Sequence, residues 1–434
     1  MQNFELITVK QKLRGLAYKI KWQIVTLLFF FLDSMVLATI GTTKGKDPRQ
    51  KKRLVFIRTD AIGDFILWTA SIEDLLELYP KDEYSWTLVG SAVWTDLAKE
   101  LLVFDEIVPI ESGNFSRPRN VRYRYTTLAR LRQISADIVI HPTHSRDFST
   151  GDAVARAIRA KMKIASAGDY ANVNAWQKAV GNRFYSKIVP LKSGLDSKNP
   201  TMELIRSAEF LSALSGKPIK SKMPDLRKIA SKLPIEILKL PEDMSMLPSN
   251  ELYFVIFPGA GWRHREWGFE KFNHVANDLQ KKYGWVCVFC GSEQDRKIFS
   301  SDIESAGLKQ INLMGQTNLL ELISVIANAK LIVTNETSAA HIGAACRVPT
   351  VCVAGGGHYG RFVPWKTEVA TARSELSCVS LSMPCFNCNW QCIYKLSGDN
   401  PVPCIANIEP EHVIQRVHQI LVESAALTTH ATIV

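Results

Sequence analysis

The sequence predicts an α/β protein built from two Rossmann-like, doubly wound domains, and three observations predict it. Short apolar runs alternate with amphipathic helical stretches, the pattern of a parallel sheet covered by helices on both faces. The alternation stops across residues 217–250, which hold Pro218, Pro224, Pro234, Pro241 and Pro248, and then restarts. The 434 residues, 46% apolar and 22% charged, are enough for two sizeable cores and exclude collagen-like, coiled-coil and wholly disordered chains.

Taken in order, the first half places strands at 54–57, 85–90, 106–110 and 136–141, with helices over 65–78, 93–102 and 126–133. The second half places strands at 252–257, 285–290, 330–335 and 350–354, with helices over 269–283, 294–306 and 339–346. The expected organisation is an N-terminal segment (1–52), a first domain (53–230) and a second domain (250–423) with a Cys-rich insertion (378–404). In doubly wound folds ligands bind at the carboxyl ends of the strands, so the loops that follow strands are the ones to search.

Charge separates the N-terminal segment from the rest. The formal net charge is +11, and residues 1–53 carry eleven Lys or Arg against Glu5, Asp33 and Asp47. A cationic tail accounts for the basicity, and the body is not a nucleic-acid binder. Residues 24–40 (IVTLLFFFLDSMVLATI) are apolar but fall short of the roughly 20 residues a span requires, and a central Asp33 costs about 2.5–3.5 kcal/mol on insertion. The favoured reading is a helix lying in the headgroup plane with its lysines on anionic lipid. A buried core helix and a true span are the alternatives.

Three loops of the second half have phosphate-site chemistry. FPGAGWRHREWG supplies Gly259 and Gly261, which allow close backbone approach, and Arg263, His264 and Arg265, of which an arginine grips a diphosphate bidentately. The competing reading is a glycine turn with solvated arginines. TNETSAAHIGAA brings Thr337 or Ser338 to the start of a helix near Ala339, where an anion is favoured, and Glu336 is placed to accept from ribose hydroxyls. His341, one turn in, is either a ligand contact or a packed histidine. GGGHYGRF, with Gly355, Gly356 and Gly357, implies unusual backbone angles or close ligand approach. In the first half, RTDAIGD sets Asp64 after Gly63 at a helix start, either as a helix-start charge or as a general base, with Asp60 competing.

Taken together, these loops resemble glycosyltransferase family 9, the bacterial heptosyltransferase family, over residues 53–423. RTDAIGDFILWTASIEDLLELYP looks like the family's opening strand and Gly-Asp helix start, and FPGAGWRHREWGFEKFNHVA like its central strand and basic turn. NLMGQTNLLELISVIANAKLIVTNETSAAHIGAACRVPTVCVAGG is similar to its most recognisable stretch. The resemblance implies a GT-B architecture and an inverting transfer of heptose from ADP-heptose to a lipopolysaccharide-type acceptor at the cytoplasmic face of the inner membrane. It puts Asp64 on the catalytic base, Arg265 on the diphosphate, Glu293 near the nucleoside, and Thr337, Ser338 and Ala339 on the phosphate-binding helix start. The family commonly has Asp where Glu336 stands and Gly where Ser338 stands. No catalytic cofactor is implied.

The expected acceptor is anionic. The arginine-rich stretch 117–132 offers Arg122 and Arg124, and HPTHSRD adds His144 and Arg146; a solvated arginine helix is the bland alternative. Cys385, Cys388, Cys392 and Cys404 have the spacing C-x2-C-x3-C-x11-C, within reach of a structural zinc or iron site, against packed free thiols. Other functional readings are transfer of another sugar, a protein acceptor, a GT-B-shaped sugar-nucleotide epimerase, and a non-catalytic binding module.

Overall fold

The structure, a computed structural model, describes residues 9–41, 50–192, 200–233, 251–365 and 376–431. Lys44, Lys46, Arg49 and the 234–250 part of the expected connection lie outside them. The chain forms two compact units, one from Thr8–Asp196 with Ile205–Lys220, the other mainly from Ser221–Val434.

The first unit is built on six parallel strands: β1 (Lys52–Arg58), β2 (Tyr84–Ser91), β3 (Glu106–Ile110), β4 (Ser135–His141), β5 (Arg159–Ser166) and β6 (Lys187–Val189). Their order in the sheet is β3-β2-β1-β4-β5-β6. The second unit repeats the plan with β7 (Tyr253–Phe257), β8 (Val286–Phe289), β9 (Gln310–Asn312), β10 (Ile332–Asn335), β11 (Thr350–Val353) and β12 (Ser377–Val379), ordered β12-β11-β10-β7-β8-β9. Counted from the first strand of each unit, both have the order 3-2-1-4-5-6 of a dinucleotide-binding fold. The central strands are unbroken apolar runs because helices cover both sheet faces: Leu54, Val55, Phe56 and Ile57 are fully buried in β1, and Phe254, Val255 and Ile256 in β7.

Four strands escape the sequence pattern. The β5 segment RAKMKIAS is exposed or half-buried over its first five residues, and β6, β9 and β12 have only three residues each. The helix expected over 65–78 is two, α2 (Ile62–Thr69) and a second over Ile72–Leu78.

The N-terminal segment is not separate from the first unit. Its helix α1 (Val9–Thr39) packs on the helices Val121–Arg132 and Ala153–Ala157. The contact strip runs through Gln23, Thr26, Phe29, Asp33 and Leu37, the three-and-four spacing of one helix face. At its centre Arg124 grips Asp33 with two hydrogen bonds, Nε to Oδ1 at 2.8 Å and Nη2 to Oδ2 at 2.6 Å. Arg124 Nη1 also donates to the carbonyl oxygens of Phe115 (2.9 Å) and Ser149 (3.0 Å). The rings of Phe29 and Phe115 lie against the guanidinium at 4.4 and 4.3 Å. Arg156 adds a bond to Ser34 Oγ at 2.6 Å, and Gln23 accepts from Trp176 Nε1 at 2.9 Å. Asp33 therefore serves as the docking group of α1 rather than a charge facing lipid.

Removing one member of a buried ion pair strands the other. Asp33→Ala is expected to lower stability by about 3–5 kcal/mol in urea unfolding, and adding Arg124→Leu should recover a large part of the loss. An Asp33→Ala protein as stable as the parent would remove this pair from the account of the fold.

Candidate functional site

In the second unit β7 and β10 are neighbours, with Val255 opposite Ile332 and Ile256 opposite Val333, at the point where the strand order reverses. Their carboxyl-end loops emerge together, which in a doubly wound sheet makes a ligand-binding crevice. After β10, Glu336 and Thr337 lead into the helix Ser338–Ala345, whose N-cap Thr337 makes no side-chain cap bond. The Thr337 hydroxyl lies 3.2 Å from Thr334 Oγ1 instead. The helix Glu293–Glu304 differs: Ser292 and Asp295 cap it reciprocally. The helix start at Thr337, Ser338 and Ala339 offers backbone N–H groups and a positive dipole end to an anion.

Arg265 stands at this helix start. Its Nη2 donates to the Glu336 carbonyl oxygen at 2.6 Å and lies 3.4 Å from Glu336 Oε1. Its guanidinium packs 4.6 Å from the Trp390 ring centre. Glu336 is buried, and its Oε2 and the Arg265 Nε have no hydrogen-bond partner in the protein. Burial pushes the Glu336 carboxyl up to about 7, with Arg265 opposing the shift. An orphaned acceptor and an orphaned guanidinium N–H beside an uncapped helix start suit hydroxyls and a diphosphate on one ligand.

Other predicted donor residues sit differently. A Cβ on Gly259 would collide with the Asp295 carboxylate, so that glycine makes room for a helix cap rather than for phosphate. Gly261 has open space around it. At Gly355, Gly356 and Gly357 the approaching groups are the rings of Phe386 and Trp390, so these glycines accommodate aromatic packing. His341 is buried and accepts from Trp365 Nε1 at 3.2 Å; burial lowers its pKa to about 4, and the neutral ring is a packing group. Glu293 opens its helix at the end of β8, largely exposed and 3.7 Å from Lys297.

In the first unit β1 and β4 occupy the equivalent reversal point. Asp64 lies half-buried in the first turn of α2. Arg58 organises this turn by donating to the Asp64 carbonyl oxygen at 2.9 Å and pairing with Asp60 at 2.8 Å. Thr143 donates to Asp60 at 3.2 Å, so Asp60 belongs to the framework of the turn.

Of the expected acceptor contacts, Arg122 is exposed and three are buried. Arg124 is spent on Asp33. His144 lies 3.3 Å from Ser166 Oγ and 3.8 Å from Asp169. Arg146 meets Asp152 at 3.3 Å, bonds Asn182 and stacks on Tyr185. Buried in these contacts, the three hold the unit together, whereas Arg122 stands at the surface. Tyr185 joins the same network, donating to Asp152 at 2.7 Å and standing 2.7 Å from His141 Nδ1.

Cys385, Cys388, Cys392 and Cys404 line one small pocket with Gly356, Phe386 and Trp390. Burial raises the Cys404 thiol to about 11 and lifts Cys388 and Cys392 as well. Among the described residues no group of three or more His, Cys, Asp or Glu side chains is gathered as metal ligands are. The four thiols share one pocket beside the glycine loop without the geometry of a formed ligand set among the described residues.

Residues 130–390 match the family model for glycosyltransferase family 9 (heptosyltransferase). The chain belongs to that family. It is 24% identical over 196 residues to lipooligosaccharide heptosyltransferase 2 of Campylobacter jejuni, an alignment that spans 43% of this chain and 58% of that protein. The fold resembles that of a glycosyltransferase family 9 protein from Veillonella parvula, at 18% identity and TM-score 0.56, over 86% of this chain and 97% of that one. It also resembles an E. coli heptosyltransferase solved with ADP, at 14% identity and TM-score 0.58, over 85% and 99%. These likenesses place the two six-stranded units in the GT-B class.

Three residues around Arg265 and His341 were not singled out from the sequence. Trp390 backs Arg265, Trp365 fixes His341, and buried Asn335 accepts from Trp267 N at 3.0 Å, tying the two loops together. Aromatic residues inside a Cys-rich stretch gave a weak signal, and Asn335 was legible only as the end of a strand.

For a nucleotide held at Arg265, the raised Glu336 carboxyl predicts pH-dependent binding: protonated below about 7 it would leave the Arg265 charge for a diphosphate, and ionised above it would compete for that charge. Titration calorimetry with a nucleotide-sugar should show affinity falling between about pH 6 and about pH 8, and Glu336→Gln should flatten the curve. A parent protein with no such dependence contradicts the assignment.

Proposed function

We propose that this protein is an inverting glycosyltransferase that moves a heptose from ADP-heptose to a lipopolysaccharide-type saccharide at the cytoplasmic face of the inner membrane. The observation that carries the reading is the Arg265–Glu336 pair, with unsatisfied polar atoms on both side chains, beside the uncapped helix start at Ser338. The ADP bound to the E. coli relative supports an adenine nucleotide donor, and the heptosyltransferase activity named for the Campylobacter relative supports the sugar.

In the reaction the Asp64 carboxylate takes the proton from an acceptor hydroxyl as that oxygen bonds to the anomeric carbon of the donor. The bond from that carbon to the diphosphate oxygen breaks on the opposite face, and its electron pair leaves with the nucleoside diphosphate. Arg265 and the N–H groups at Ser338 and Ala339 stabilise the charge that develops there. Glu336 holds donor hydroxyls. The scheme needs no metal.

Two variants separate these roles. Asp64→Ala should lower kcat by about 10²–10⁴-fold while ADP affinity stays within about twofold of the parent, whereas Arg265→Ala should weaken ADP binding itself by about tenfold or more. Turnover of the sugar nucleotide without any acceptor would replace the transferase by an epimerase, and an active Asp64→Ala protein would remove the base.

A further inference from the structure

Helix α1 is apolar nearly all round over its second half, yet only one strip of it is covered. Thr26, Phe29, Asp33 and Leu37 are buried against the first unit, while Ile24, Leu27, Leu28, Phe31, Leu32 and Met35 point to solvent. Phe31 is 61% and Met35 66% exposed. Helices hydrophobic on every side are found in cores or in lipid, and a contiguous apolar face in water marks a contact surface.

By length and composition the segment Gly15–Thr39 is able to cross a membrane, with a mean hydropathy of 1.7 over its most apolar window. The docking contacts argue against crossing. From Gln23 to Leu37 the helix is bonded along its flank to Trp176, Arg124 and Arg156 of the globular unit, so this stretch cannot also be surrounded by lipid.

We infer that α1 is a half-embedded docking helix: the Asp33 strip fastens it to the protein, and the opposite face, centred on Leu28, Phe31 and Met35, sits in the headgroup–acyl boundary of an anionic bilayer. Charge selects lipid over a second copy of the chain. Lys19 and Lys21 are exposed on the helix, and residues 1–53 carry eleven basic against three acidic side chains. Pairing two such segments would oppose like charges, whereas an anionic surface attracts each lysine by roughly 1 kcal/mol. Tyr18 and Trp22, ring centres 6.1 Å apart, mark the junction between the basic and apolar stretches, where amphipathic aromatics favour the interface.

Because the contact is made by α1 alone, its test does not depend on which sugar or acceptor the enzyme uses. The full chain is mixed with vesicles of phosphatidylcholine, with or without about one-third phosphatidylglycerol, and bound protein is separated by flotation. Expected are binding to the anionic vesicles, weakening with added salt, and a roughly tenfold or greater loss in Phe31→Glu/Met35→Glu with its melting temperature unchanged. Vesicle binding equal to the parent's in that double variant overturns the inference. So does absence of binding together with a dimer in light scattering that the same substitutions dissociate, which would make a second copy the occupant.

Discussion

Both sheets are parallel and covered on each face by helices, and this constraint decides where chemistry can occur. Strands such as LVFI and FVI bury their whole length in apolar packing, so no polar side chain is available from a sheet face without a desolvation cost of several kcal/mol. In β1, β7 and β10 the polar side chains stand at the strand ends, as Arg58 and Asn335 do. At the reversal points, β1 beside β4 and β7 beside β10, connections leave to opposite sides and the carboxyl-end loops part. Asp64 follows β1, Arg265 follows β7 and Glu336 follows β10, each at such a point. Two helix starts of the second unit differ: the one before Glu293 is closed by Ser292 and Asp295, and the one at Thr337 has no side-chain cap.

The Asp33–Arg124 pair solves a different problem. An apolar helix laid on a protein surface has many rotations of similar energy, because hydrophobic contact is not directional. A buried carboxylate that must meet a buried guanidinium permits one rotation, and it sets which face of α1 docks and which stays outside. The pair's worth lies in this register rather than in net stability, since a buried ion pair recovers little beyond its own desolvation.

The strand pattern made the fold legible, since eight of the central and neighbouring strands read as apolar runs between glycine turns, and the motif loops located Arg265, Glu336 and Asp64. What failed was partner assignment across long sequence separations. Arg124 looked like one arginine among six in a basic stretch, and only the fold brings Asp33, ninety-one positions earlier, against it. Gly259 and the glycines at 355–357 were read as sites of close ligand approach; the protein groups that approach them are Asp295, Phe386 and Trp390, which a one-dimensional pattern does not reveal. His341 and His144 became packing groups for the same reason: burial and a neighbour's hydrogen bond, not residue type, determine whether a histidine faces a ligand.

The proposed transfer requires a nucleoside diphosphate at the carboxyl ends of β7 and β10. Amide hydrogen exchange of the full chain with and without ADP tests this most directly. Exchange should slow at residues 261–266 and 336–341, with residues 59–66 unchanged. Bound ADP that slows exchange around 59–66, or anywhere but the two second-unit loops, would contradict it.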